Sequence, residues 1–139
     1  MREPQARTQQ IIVVGLVRAD GRVLLTRSSQ LRDAASGTGG GYFDLPRFAV
    51  PFAAEPSKVL ARELRELCDQ VPARWRTVSI EQYLTQAGTR QVFEVVLEGE
   101  VAPTPAQPGR YTFAELDEAA DLMFAEEFER LRAWLERER

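Results

Sequence analysis

The chain reads as an α/β domain, an α/β/α sandwich with a mixed β-sheet between helices. Three observations carry this. A β-branched apolar run meets a partner across a tight turn near the start, at residues 11–26. A second strand pair lies at 76–97. One amphipathic helix separates the two pairs and another ends the chain. Strands and helices alternating in this way bury their apolar sides as helices laid on the faces of a sheet.

Each element has its own signal. Residues 11–18 are β-branched and apolar, a strand; Asp20-Gly21 is a hairpin turn, and 23–26 is the partner strand. Residues 28–41 are polar and end in Gly37-Thr38-Gly39-Gly40-Gly41. This is read as a flexible loop, because it lacks the Lys-Ser/Thr of a phosphate-cradling loop and precedes a strand instead of a helix. Residues 42–45 form a short strand ended by Pro46. Glu55-Pro56 opens a helix predicted over 55–69, with Glu55 as a weak cap and Pro at the position where a missing N–H costs least. Leu60, Leu64, Leu67, Cys68 and Val71 fall on one stripe, with Glu63, Glu66 and Gln70 beside it. Strands follow at 76–85 and 91–97, joined by a turn at 86–90. Pro103, Pro105 and Pro108 mark an extended connector. A short strand at 111–113, a short helix at 115–121 and an amphipathic helix carrying Phe124, Phe128, Leu131 and Leu135 complete the order.

Composition narrows the function classes. With 139 residues the chain is long enough for one core, placed at 10–139 behind a tail of 1–9. Hydrophobic residues at 44% and charged residues at 28% are globular values. A net charge of -3 offers no basic field, so no nucleic-acid partner is expected. The apolar run near the N-terminus is too short to span a membrane, and without leader features the expected compartment is the cytoplasm. Cys68 is the one cysteine, so no internal disulfide forms, and its place in a helix suits a small core residue. There is no His. Hydrolytic chemistry here must therefore use carboxylates, hydroxyls, Arg or a bound metal.

The sharpest local signal is Leu45-Pro46 followed by Arg62-Glu63-Leu64-Arg65-Glu66. With the element order, which covers nearly the whole chain from about Gln10, this resembles the Nudix family. The box of that family reads GX5EX7REUXEEXGU, with U aliphatic. The resemblance implies an α/β/α fold, a nucleotide or phosphorylated small molecule as ligand, and Mg²⁺ or Mn²⁺ held by helix carboxylates that bridges phosphate oxygens and activates water. It makes Glu63 a metal ligand or base, Glu66 a metal ligand, and Arg62 the residue that orients the carboxylates. Residues one turn apart share a helix face, so Glu63 and Glu66 can point at one ion and Arg62 can brace Glu66.

The departures are as informative. The first Gly of the box falls on Phe48, its first Glu on Ala54, the second Glu of its pair on Leu67 and its last Gly on Asp69. A Leu cannot coordinate, so the metal site is incomplete, and Glu55 stands one position from the missing carboxylate at Ala54. Fewer carboxylates lower both cation affinity and charge neutralisation in the transition state. The expected activity is weak or lost phosphoanhydride hydrolysis. Glu94, Glu98 and Glu100 lie on or after a late strand where the family often places a further ligand; alternation lets only some reach one site. Arg47, Phe48 and Glu94 are the substrate-binding candidates, with Tyr42, Phe43, Arg27 and Arg32 behind them. Trp75 and Trp134 read as packing residues.

Alternatives stay open on the sequence. Arg-Glu-Leu-Arg-Glu-Leu is also the pattern of a solvated helix face, whose charge pairs add about 0.2–0.5 kcal/mol and need no function. A binding module on the same fold would recognise a nucleotide or a protein without cleaving it. A homodimer scaffold using the C-terminal helix is the third reading.

Overall fold

A computed structural model describes residues 8–27, 43–85, 88, 90–103 and 110–137. The Gly37–Gly41 loop, Tyr42 and Arg32 lie outside these residues. Seven strands form one mixed sheet with helices on both faces. β1 (Thr8–Ala19) is its spine, lying parallel to β6 (Arg90–Glu100) along most of its length. Asp20 and Gly21 both take positive φ, at 53° and 80°, as a tight hairpin turn requires. β2 (Arg22–Arg27) leaves β1 after the two pairs next to this turn and lies between β3 (Phe43–Asp44) and β7 (Tyr111–Ala114). β5 (Arg76–Leu84) pairs with β6 and ends the sheet.

One strand was not expected. Residues 47–50 form β4 (Arg47–Val50), antiparallel to the first half of β1. Pro46 ends β3 because it has no N–H to donate, but its carbonyl still accepts from Gly15 N at 2.9 Å, and the chain re-enters the sheet one residue later. β4 fills the place that β2 vacates beside β1.

α1 (Pro56–Leu67) lies on β1 and β4. Glu55 is its N-cap residue without a side-chain cap bond, and its carboxylate lies 3.6 Å from Lys58 Nζ instead. Val59, Leu60 and Leu64 are buried under it with Val13, Val17 and Leu97, while Leu67, Val71 and Trp75 pack around their rim. Val71, expected on the stripe, is only half-buried, because the helix stops at Leu67. Gly15 lets α1 come close: a Cβ there would sit 3.1 Å from a Leu60 methyl. Asp69 ends the helix at φ 57°, with its N–H donating to Leu64 and Arg65 carbonyls at 3.1 and 3.2 Å. This left-handed position is the one a Gly fills without a Cβ penalty.

The opposite face carries α2 (Leu116–Leu122) and α3 (Ala125–Arg137). Glu115 and Glu118 form a reciprocal capping box at the start of α2. Leu131 and Trp134 of α3 are buried with Val14, Leu16, Val96 and Met123. Leu131 and Trp134 of the C-terminal helix are therefore spent on the core of their own chain, while Phe128 and Leu135 are half-buried beside them.

Candidate functional site

The sheet separates the expected site residues into two groups. On the α1 side, a groove of about 240 Å³ runs between the helix and the ends of β2 and β7. Glu63, Glu66 and Leu67 form its helical wall; Thr26, Arg27 and Arg110 form the other, and Phe48 lines it as well. Arg27 N donates to the Arg110 carbonyl at 3.1 Å within the second wall, and Arg110 Nη2 ties it to the helix by donating to the Glu66 carbonyl at 3.4 Å. Two acidic residues one turn apart thus share a groove with the Arg110 guanidinium. Arg62 points away from it, largely exposed, with Nη2 3.8 Å from the carboxylate of its neighbour Glu63. The ion pair that it forms is with Glu63, where a brace across a turn to Glu66 was expected.

The residues at the expected departures, Leu67, Ala54 and Phe48, all lie on the α1 side. Leu67 lines the groove and also packs against the α1 core, so it puts a methyl surface beside Glu66. Ala54 is partly buried against the same core. Phe48 carries its ring on the α1 side, level with Val13. Among the described residues no group of three or more Asp, Glu, His or Cys side chains is placed to hold a metal ion. Glu63 and Glu66 are the donors that could hold a cation. Mg²⁺ commonly takes one or two carboxylates and fills its octahedron with waters and substrate phosphates, so this pair suits an ion that arrives with a phosphate rather than one caged by protein.

Arg47 and Glu94 stand on the other face, under α3. Glu94 is 0% exposed. Arg47 Nη1 and Arg130 Nη2 both donate to its carboxylate. Arg47 Nη2 also donates to Glu127 at 3.2 Å, and Arg130 Nη2 to Glu81 at 2.9 Å. The Arg130 guanidinium lies over the Trp134 ring, 4.9 Å from its centroid. Burial works against the Arg47 charge, but Glu94, Asp44 and Glu127 outweigh it and raise its pKa. Asp44 completes the cluster, with Oδ2 3.7 Å from Arg47 Nε and Oδ1 accepting from Leu45 N at 2.7 Å. Burial pushes the Asp44 carboxyl up to about 6, against the pull of Arg47 and with the push of Glu127.

Glu98, weighed as a replacement ligand, has the same strand phase as Glu94, where it meets Arg18 Nε at 3.0 Å. Glu100, two residues further, is exposed. The late-strand carboxylates Glu94 and Glu98 therefore face away from Glu63 and Glu66. Arg110 and Arg130 were missed. Arg130 had a readable signal: Glu94 lies between Val92 and Val96 in strand phase, and a carboxylate in an apolar row requires a cation from the covering helix. Arg110 follows a proline-rich connector and offered none.

No family model and no curated protein matches the sequence. Solved structures match the fold. The ORF135 protein of E. coli aligns over 91% of this chain and 93% of its own, with 19% identity and a TM-score of 0.65. A MutT Nudix hydrolase from Burkholderia pseudomallei aligns over 94% and 98%, with 17% identity and a TM-score of 0.64. A MutT protein from Methanosarcina mazei aligns over 94% and 97%, with 22% identity and a TM-score of 0.62.

Proposed function

We propose that this chain, which has the Nudix fold, binds a nucleoside diphosphate linked to another group in the α1 groove and cleaves its phosphoanhydride slowly or not at all. The observation that carries the reading is the pairing of Glu63 and Glu66 with Arg110 across one groove. Carboxylates on one wall suit a divalent cation, and a planar guanidinium on the other suits phosphate oxygens.

Mg²⁺ or Mn²⁺, when bound, would neutralise phosphate charge and lower the pKa of a bound water. The chain supplies the rest. Glu63 and Glu66 hold the cation, Arg110 orients the phosphates, and Phe48 and Leu67 keep water from the apolar end. Arg62 keeps the Glu63 side chain near one rotamer. Arg47 and Glu94, bonded to each other below the sheet, fix β4 and thereby Phe48 instead of touching the ligand. Leu67 removes the third carboxylate, which makes turnover the weak part of the cycle.

The same groove also serves the alternative reading, a module that binds a nucleotide without cleaving it. Phosphate release from a panel of nucleoside diphosphate derivatives separates the two. Slow release that Glu66→Gln abolishes supports a residual hydrolase. Binding without release supports the module, and no binding of any member removes both.

A further inference from the structure

We propose that Asp44, Arg47 and Glu127 form a pH-sensitive latch, in which loss of the Asp44 proton draws Arg47 away from Glu127 and loosens the first turn of α3. The latch follows from the balance of charge under that helix. Four acids, Asp44, Glu81, Glu94 and Glu127, meet two guanidiniums, Arg47 and Arg130, in one cluster. Every element packed there contributes: Asp44 from β3, Arg47 from β4, Glu81 from β5, Glu94 from β6, and Glu127 and Arg130 from α3. With all four acids ionised, negative charges exceed positive ones by two. A proton on Asp44 halves that excess. The Asp44 and Arg47 side chains are only 15% and 13% exposed, so water screens the charge between them poorly.

Arg47 is the part that changes partners. Its Nη1 donates to Glu94 and its Nη2 to Glu127, which ties β4 to the sheet and to α3. Among the described residues its buried Nε has no hydrogen-bond partner, and Asp44 Oδ2 lies 3.7 Å away, outside bonding reach. A neutral Asp44 carboxyl leaves that gap open. An ionised one attracts the guanidinium and repels Glu127, so Arg47 turns toward β3 and its bond to Glu127 weakens. The neighbours keep their usual charge. Acids outweigh burial at Arg47 and Arg130 and raise both, while burial and then Glu94 raise the Tyr83 hydroxyl of β5. Two contacts carry the latch to the α1 groove, whatever that groove binds. Thr26 Oγ1, in the groove wall, donates to the Asp44 carbonyl at 3.4 Å, and Phe48 of the same wall follows Arg47 in β4.

Trp134 reports the state of the latch, because Arg130 bonds Glu127 at 3.4 Å and lies over the buried Trp134 ring. Trp75→Phe leaves Trp134 as the one Trp of the full chain. Its fluorescence, read from about pH 4.5 to about pH 8, should follow one titration with a midpoint near 6. Asp44→Asn, neutral at every pH, should hold the acid-side signal throughout. Glu127→Gln removes a charge that raises the Asp44 carboxyl, so it should move the midpoint to lower pH. Amide hydrogen exchange in the first turn of α3, corrected for its intrinsic pH dependence, should be faster on the alkaline side of the transition. If Asp44→Asn fails to fold, the Glu127→Gln shift and the exchange decide between the outcomes. A flat wild-type signal, a transition that survives Asp44→Asn, a midpoint that Glu127→Gln leaves in place, or exchange equal on both sides overturns the proposal.

Discussion

Arg47 and Phe48 are neighbours in β4 and serve opposite faces of the sheet. The Arg47 guanidinium is bonded to Glu94 under α3, while the Phe48 ring lines the groove beside α1. The side-chain alternation of a strand thereby couples the buried ion cluster to the wall of the candidate site, one peptide apart. Glu94→Ala would leave Arg47 and Arg130 partly buried without their shared carboxylate. It should cost about 3–5 kcal/mol, the usual result of breaking a buried pair. Urea unfolding measures it; a change below about 1 kcal/mol would mean that water already screens the cluster.

The pH response should carry the mark of Asp44. Its carboxyl titrates near 6 in the folded chain, above its ordinary 3.8. The folded state holds that proton more tightly than the unfolded one. The Asp44 contribution is therefore fully present below about pH 4 and is lost as pH rises through about 6. A difference of this size is worth about 3 kcal/mol. Asp44→Asn keeps the oxygen that accepts from Leu45 N and removes the charge. The variant should gain stability over wild type at pH 7.5 and lose that advantage at pH 4.5. Equal differences at the two pH values would contradict the burial of this group.

Two glycines should differ in how much an added methyl costs. At Gly99 a Cβ would meet Pro72 Cβ at 2.4 Å and the Arg74 carbonyl oxygen at 2.9 Å. At Gly15 it would meet the Leu60 methyls at 3.1 and 3.2 Å, the ends of a side chain that can shift. Gly99→Ala should cost more than the usual 1–3 kcal/mol of overpacking, and Gly15→Ala should fall within it. Thermal melts of the two variants compare them directly; the reverse order would show that the Pro72 segment yields more easily than α1.

Asp69 takes the left-handed conformation at the end of α1. Asp69→Gly should stabilise the chain by up to about 1 kcal/mol, because the left-handed region costs a residue with a Cβ roughly 1–2 kcal/mol and Asp less than most, and Asp69→Val should destabilise it. A loss of stability in the glycine variant would show that the Asp side chain contributes something to the helix end beyond its backbone.

Much of this fold was legible because periodicity and turn chemistry agree along the chain. The β1–β2 turn, Pro56 at the helix start and the buried positions Leu60 and Leu64 follow from local rules that tertiary contacts reinforce. β4 was not legible. A four-residue strand behind a proline has no period to read, and it forms because β2 diverges from β1 and leaves the edge beside β1 free. The site was half legible. Helical spacing places Glu63 and Glu66 side by side, but the opposite wall comes from Arg27 and Arg110, 83 residues apart in the chain and adjacent only through β2 and β7. Asp69 shows the converse: the residue is unusual for its place, yet its backbone conformation is the one that place demands.

Under the proposed function, Glu63 and Glu66 hold a divalent ion together with a phosphorylated ligand. Electron paramagnetic resonance of Mn²⁺, titrated with and without a non-hydrolysable nucleoside diphosphate derivative, tests it most directly. Mn²⁺ alone should bind weakly, and the nucleotide should tighten its binding at least about tenfold, as expected where coupling between the two ligands is worth about 1.4 kcal/mol or more. Glu66→Gln should abolish that gain. Mn²⁺ binding that the nucleotide leaves unchanged, or a gain that survives Glu66→Gln, would contradict it.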